Sequence, residues 1–322
     1  MGEPTEPLLA HIRTSRTVLL TGPEGPDGDS IGACLALQRI LAVAAPGVRV
    51  DVAGSAPHRY GWLPGAAAMV PDADVGAYDG VVVLDGDRRR LPRPVETAFD
   101  GATWTGIIDH HRSTEASGYT VSILAPTAES TCGMVRELAR SWGVPLDFDT
   151  ATLLYVGLIF DTGGFRYSNT APSTHALAAE LLSCGIDHAR ITLKILVERR
   201  PEAMRLLARM LSESVFVAGG KAVHTTCTRA MLQEIGANEA DLEGIVDVLQ
   251  HVEGVDLAVV FVERGPERVK LSLRSSGKVD VASFARSLDP NGGGHAKAAG
   301  VMLAVGLEEA RRRVLEGIPA LV

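Results

Sequence analysis

Residues 105–111 read TGIIDHH, a short run of strand character that enters an aspartate and two histidines without a polar break. Short runs rich in β-branched and apolar residues that end abruptly read as buried strands. Thr105 to Ile108 is therefore expected to carry Asp109, His110 and His111 to one edge of a sheet.

The same pattern recurs outward from this point. Val81 to Leu84 leads into Asp85-Gly86-Asp87, and Thr17 to Thr21 leads through a Gly/Pro-rich turn into Pro26-Asp27-Gly28-Asp29. Asp29 or Ser30 is expected to cap a helix carrying Ile31, Leu35, Leu37, Ile40 and Leu41 that stops near Pro46-Gly47, before another strand at Val48 to Val52. Ala151 to Phe160 has the length of a helix more than of a strand, and it ends in Asp161-Thr162-Gly163-Gly164. Strands alternating with helices predict an α/β fold with a parallel sheet, whose ligands gather at the carboxyl ends of the strands.

Bulk properties set the limits. A chain of 322 residues, 46% apolar, is long enough for about two cores. From Ile191 to Ser214 the pattern turns charged and amphipathic, with Pro201 placed to open a helix. Beyond it, candidate strands at Lys221 to Thr226, Leu257 to Glu263 and Val269 to Ser272 precede a glycine-rich turn and a final helix. The division expected is 1–190, a connection at 191–214, and a smaller α/β unit at 215–322.

The formal net charge of −8 opposes loading onto a long nucleic acid, where affinity comes from many phosphate contacts. Cys34, Cys132, Cys184 and Cys227 form no CxxC pair, so they read as free thiols of a reducing compartment. Glu3 and Glu6 stand where a secretory signal needs positive charge, and no stretch approaches the roughly 20 apolar residues of a membrane span. A cytoplasmic protein with no membrane partner is expected.

One aspartate at a strand end is most simply a helix cap. Four such motifs on one edge need another explanation, because clustered carboxylates repel and resist desolvation. Divalent cations held by carboxylate oxygen and imidazole resolve the conflict. The four charges of Asp27, Asp29, Asp85 and Asp161 match two such ions. A pair roughly 3.5 to 4 Å apart can supply a hydroxide that attacks phosphorus. Mixed carboxylate and histidine ligation suits Mn²⁺ ahead of Mg²⁺. Asp87 reads as a turn residue, and Arg88-Arg89-Arg90 as either a phosphate-greeting run or a solvated face.

With PDGDSIGACLAL at 26–37, DHH at 109–111 and GLIFDTGGFRYSNT at 157–170, the chain resembles the DHH phosphoesterase superfamily. GGGHAKAAG at 292–300 and SLRSS at 272–276 resemble the glycine-rich signature and the arginine strand of the DHHA1 domain. The resemblance implies a Rossmann-like N-terminal DHH domain, a smaller C-terminal DHHA1 domain and a cleft between them. It is strongest to the nanoRNase/pAp-phosphatase branch. RecJ exonucleases are usually longer, and family II pyrophosphatases lack the GGGH signature.

What the resemblance implies is a Mn²⁺-dependent phosphodiesterase or phosphatase acting on pAp, linear or cyclic dinucleotides, or nanoRNA, with a homodimer as its assembly. Asp85 would bridge two ions, Asp29, His110 and Asp161 would hold one of them, and Asp27 the other. Asp109 would orient the cluster and His111 would contact the scissile phosphate. Arg274, His295 and the backbone of Gly292, Gly293 and Gly294 would hold substrate phosphates. One departure stands out: the family histidine four residues before Asp27 is replaced by Pro23, leaving Glu24 as a substitute ligand or an exposed loop residue. The rival expectation is a nucleotide-binding regulator that lost turnover through that change.

Overall fold

The structure is a computed structural model in which residues 5–322 are described. In the first unit, which ends at Glu198, β1 (Thr17–Thr21), β2 (Arg49–Val52), β3 (Gly80–Leu84), β4 (Trp104–Asp109) and β5 (Val121–Leu124) form one sheet. All of its pairings are parallel, in the order β2-β1-β3-β4-β5. The four strands expected from the sequence are present. β5 was not anticipated, and neither was the opening helix α1 (Thr5–Thr14).

Parallel neighbours require crossovers. Helix α2 (Gly28–Ala44) joins β1 to β2, and α3 (Arg93–Gly101) lies between β3 and β4. After β5 come α4 (Thr131–Ser141), α5 (Phe148–Asp161), α6 (Pro172–Ser183) and the short α7 (His188–Thr192). Val81 and Val83 of β3 pack with Val95 and Phe99 of α3 on one face. Val82 and Leu84 join Leu20, Ile108 and residues of α2, α4 and α5 on the other. Burial of both faces is why these strands read as unbroken apolar runs instead of alternating ones.

Ala151 to Phe160 is helical, as its length suggested, and it lies within α5. Close packing of α5 on α2 depends on missing side chains: a methyl group on Gly32 would come within 2.6 Å of the Leu153 carbonyl oxygen. That approach brings Asp29, near the start of α2, toward Asp161, the last residue of α5. Strand order reverses at β1, with β2 on one side and β3 on the other, so the crevice beyond β1 and β3 is the expected ligand position for this topology.

The second unit begins at Arg199. Its first helix, α8 (Pro201–Ser212), opens on Pro201 as expected. Six strands follow: β6 (Val215–Val217), β7 (Ala222–Cys227), β8 (Leu257–Gly265), β9 (Arg268–Ser275), β10 (Gly293–His295) and β11 (Ala298–Leu303). They lie in the order β10-β11-β9-β8-β7-β6, antiparallel except for β7 with β8. Helices α9 (Arg229–Ile235), α10 (Ile245–Gln250), α11 (Val281–Leu288) and α12 (Leu307–Gly317) complete it.

One expectation is corrected here. Gly292–Gly294 is not simply a turn, because Gly293 and Gly294 belong to β10, paired with β11. Gly294 takes a positive φ of 138° at the point where its backbone meets that of Ala298 and Ala299, a conformation and an approach open to glycine. No helix among the described residues is long and apolar enough to cross a membrane.

Candidate metal centre

The helix cap falls on Asp27, not on Asp29 or Ser30. Asp27 Oδ1 accepts the N–H groups of Asp29 (3.0 Å) and Ser30 (3.1 Å). An extended residue with an acceptor side chain is what an N-cap needs, and Asp27 is the last extended residue before α2. Asp29 is thereby the second residue of the helix, and it is fully buried.

The carboxylate of Asp29 accepts the N–H of Thr131 (2.6 Å) and of Cys132 (2.9 Å) at the start of α4. Those amides are otherwise orphaned, and the helix dipole favours a negative charge there. Burial nevertheless pushes the Asp29 pKa up to about 7, with the charge of Asp161 adding and that of His110 opposing.

Asp85 follows β3 in a left-handed conformation, φ 59°. Its N–H donates to the Ile108 carbonyl (3.1 Å), and its Oδ1 accepts from the Thr131 hydroxyl (3.1 Å). A non-glycine residue held there stores roughly 1–3 kcal/mol of strain, and such strain clusters at functional sites. Burial, followed by the charges of Asp27 and Asp29, holds its pKa well above the ordinary carboxylate range.

His110 lies between carboxylates. Its Nε2 is 3.1 Å from Asp161 Oδ2 and 3.6 Å from Asp85 Oδ1, while its Nδ1 faces the Ala128 carbonyl at 3.3 Å. Burial opposes a charge on this ring, but the hydrogen bonds it donates to Asp161 and Asp85 overcome it and carry the pKa up to about 12. Two further facts favour a metal ion. Donor atoms of Asp29, His110 and Asp161 lie within 4.8 Å of one another, and so do those of Asp85, Asp109, His110 and His111. With Nδ1 committed to a carbonyl, His110 presents Nε2 toward the carboxylates, the usual orientation of a ligating histidine. This donor set fits a divalent cation.

Asp109 is fully buried and hydrogen-bonded on both oxygens. Oδ1 accepts from the N–H of His110 (2.8 Å), the N–H of His111 (3.2 Å) and His111 Nδ1 (2.7 Å), and Oδ2 accepts from the Thr114 hydroxyl. Burial works against its charge, yet the His111 contacts prevail and lower its pKa.

Two matching domain models and one curated relative decide the family. The DHH family N-terminal domain matches residues 17–158, and the DHHA1 domain matches residues 219–320. The bifunctional oligoribonuclease and PAP phosphatase NrnA of Thermus thermophilus is 33% identical over 294 residues, 91% of this chain and 86% of that one. The chain belongs to the DHH/DHHA1 family. The bifunctional oligoribonuclease and PAP phosphatase NrnA of Bacillus subtilis is 24% identical over 299 residues, 92% of each chain. A crystal structure of an exopolyphosphatase-related protein from Bacteroides fragilis superposes with a TM-score of 0.88 at 25% identity, covering 98% of this chain and 96% of that one. RecJ from Thermus thermophilus, in complex with Mn²⁺, shares the fold with a TM-score of 0.58 at 14% identity, over 99% of this chain and 54% of that one.

In this DHH/DHHA1 chain, Arg274 lies on β9 with its Nε 2.6 Å from Asp247 Oδ1, and His295 is exposed on β10. Asp87 caps the turn Arg88–Arg90 and is paired with Arg89, while Arg88 reaches Asp100 at 2.8 Å. Glu24 is exposed, and Pro23 is buried against Gly86. The sequence reading missed the start of α4, where Thr131, Cys132 and the Ala128 carbonyl hold Asp29, Asp85 and His110 in place. A signal was available: Ser130 before an amphipathic run with Met134, Val135 and Leu138 is a helix start.

Gly157 of α5 faces both Asp29 and Cys132, and a methyl group there would overlap Asp29 Oδ1 and Cys132 Sγ. Gly157→Ala is expected to cost about 1–3 kcal/mol by overpacking and to weaken metal affinity roughly 10- to 100-fold through displacement of Asp29. Thermal unfolding and a Mn²⁺ titration check this. Unchanged metal affinity would show that Asp29 does not need its present position.

Proposed function

We propose that this chain is a divalent-metal-dependent phosphoesterase that hydrolyses small nucleotides or very short oligonucleotides, with Mn²⁺ as the preferred ion. The observation that carries the reading is the convergence of Asp29, His110 and Asp161 donors within 4.8 Å, beside a buried Asp85. The NrnA relatives, named as oligoribonucleases and PAP phosphatases, support the substrate class. In this reading the first unit binds metal, and the residues from about 215 onward bind substrate.

The ions, when bound, activate water as a nucleophile and neutralise charge developing on phosphorus. The side chains prepare that chemistry. Asp29, His110 and Asp161 would hold one ion, Asp27 would contribute to the other, and Asp85 would serve both. Asp109 holds the Nδ1 proton of His111, which leaves Nε2 as the nitrogen not committed to Asp109 and directs it to the scissile phosphate. Arg274, His295 and the amides of Gly292, Gly293 and Gly294 bind the nucleotide's other phosphates. Arg274 has a carboxylate partner already in Asp247, so a phosphate competes for a guanidinium that Asp247 orients.

Purified protein with Mn²⁺ is expected to release phosphate from pAp and mononucleotides from pApA, and to leave long single-stranded RNA largely intact. Loss of a charge-assisted phosphate contact costs about 1.5–3 kcal/mol. Arg274→Ala is therefore expected to lower kcat/KM on the order of 10- to 100-fold, mostly through KM. Binding of pAp without any turnover would overturn the enzyme reading in favour of a nucleotide-binding regulator.

A further inference from the structure

Asn169 joins the two backbone segments that set His110 and Asp161. Its Nδ2 donates to the Asp161 carbonyl at 3.1 Å and to the Glu129 carbonyl at 3.0 Å. Both partners are acceptors, so the nitrogen end of the amide is the end that faces them.

The first contact closes a gap at the end of α5. A helix leaves its last carbonyls without partners, and here the turn that follows supplies most of them. The Leu158 carbonyl accepts the N–H of Thr162 (3.2 Å), that of Ile159 the N–H of Gly164 (2.7 Å) and that of Phe160 the N–H of Gly163 (3.0 Å). The N–H of Phe165, four residues past Asp161 and next in line for its carbonyl, donates instead to Thr162 Oγ1 (3.2 Å). The carbonyl of Asp161 takes the side chain of Asn169 in its place.

The second contact reaches the segment that orients His110. Glu129 lies between Ala128, whose carbonyl faces His110 Nδ1 at 3.3 Å, and Ser130, the N-cap of α4. One nitrogen therefore ties the backbone that holds the imidazole to the backbone that carries the carboxylate. Those two side chains meet at 3.1 Å, His110 Nε2 to Asp161 Oδ2.

Asn169 is itself fixed from both sides. Upstream, the N–H groups of Arg166 and Tyr167 bond the Thr162 carbonyl at 2.9 and 3.0 Å. Downstream, the Ala171 N–H donates to Thr174 Oγ1 (3.0 Å) at the start of α6. Asn169 Oδ1 is buried and has no hydrogen-bond partner among the described residues. That orphaned acceptor offsets part of the stability the two donations contribute, so stability alone is a weak reason for an asparagine here.

We propose that Asn169 is a positioning residue for the metal centre: its amide sets the spacing of His110 and Asp161, and through it the affinity for the ion they hold. It acts through the two ligands, not on the ion. This rests on the phosphoesterase reading above and adds to it a residue outside the ligand set.

Two variants test it. Asn169→Leu keeps the branched shape and removes the orphaned acceptor together with the two donors. Asn169→Ser is smaller and keeps one donor of shorter reach. The whole chain is titrated with Mn²⁺, read by loss of the free Mn²⁺ electron paramagnetic resonance signal, and its thermal unfolding is followed in chelator. Loss of a group that orients metal ligands costs roughly 10- to 100-fold in metal affinity. Asn169→Leu is expected to show a loss of that size and Asn169→Ser a smaller one, with little change in the metal-free melting temperature. Val314→Ala, in the core of the second unit, is the control, expected to lower the melting temperature and leave Mn²⁺ affinity as in wild type. Saturating Mn²⁺ should return kcat of Asn169→Leu to near the wild-type value. If Asn169→Leu does not fold, Asn169→Ser decides by the same measurements. Wild-type affinity in the folded variants, or an equal loss in Val314→Ala, would overturn the positioning role and leave the phosphoesterase reading standing. No Mn²⁺ uptake by the wild-type chain would overturn that reading itself.

Discussion

Asp85→Asn is expected to abolish turnover and, in the same protein, to raise the melting temperature of the metal-free state at pH 8. The loss of activity follows from the place of Asp85 in a donor group with Asp109, His110 and His111, 3.6 Å from His110 Nε2. If Asp85 holds metal as proposed, its removal would withdraw several kcal/mol of transition-state stabilisation, a fall in kcat of about 10³-fold or more. The gain in stability has a separate cause. Asp85 is buried beside Asp27, Asp29 and Asp161, and without metal its pKa stands well above the ordinary value of 3.8. Unfolding lets it ionise freely, so the native state is penalised increasingly as pH rises from about 4 toward the folded pKa.

Asparagine removes that penalty and tolerates the left-handed backbone at position 85 nearly as well. The expected gain is about 2–4 °C for each kcal/mol in a protein of this size, larger at pH 8 than at pH 5. Calorimetric scans of both proteins in chelator at the two pH values check it. A variant less stable than wild type at pH 8 would mean that the Thr131 hydrogen bond to Asp85 outweighs the repulsion.

Much of this centre was legible from the sequence because strands buried on both faces leave continuous apolar runs. Val81–Leu84 and Thr105–Ile108 could hardly be read otherwise, and the aspartates that follow them mark the strand ends. The resemblance of the DHH and GGGH segments carried the family. What was not legible depends on tertiary contact. That Asp27 caps α2 while Asp29 enters the core is decided by α4, whose amides are available only when α2, α4 and α5 close up around Gly32 and Gly157. The β10–β11 hairpin escaped notice because glycines in a strand resemble glycines in a turn until the partner strand is known. β5 (VSIL) was too short and too weakly apolar to stand out.

Metal removal should destabilise the protein far more at pH 8 than at pH 5, for reasons set by the same side chains. Asp29, with an ordinary value of 3.8, is carried up to about 7 in the folded chain, and Asp85 is also raised. Between about pH 4 and 7 the metal-free native state therefore holds protons that the unfolded chain has released, and its stability falls as pH rises. His110 continues the trend. Its folded pKa of about 12 against an ordinary 6.5 gives a contribution that is complete below pH 6.5 and lost as pH climbs toward 12. Asp109, whose folded pKa is lowered, contributes the opposite slope, but only in acid.

A bound cation must displace the proton of His110 and those of the raised carboxylates, so metal affinity increases with pH while the metal-free state weakens. At a free Mn²⁺ concentration a thousandfold above its dissociation constant, the gain is about 4 kcal/mol, equivalent to roughly 10 °C in Tm. Scans with Mn²⁺ and with chelator at pH 5, 6.5 and 8 should show a gap near that size at pH 8 and a small one at pH 5. Asp29→Asn should reduce the pH dependence of the gap, because one of the displaced protons is gone. A gap that is constant with pH, or wider in acid, would mean that the ion binds without displacing protons from these residues, and the cluster of Asp29, His110 and Asp161 would not be its site.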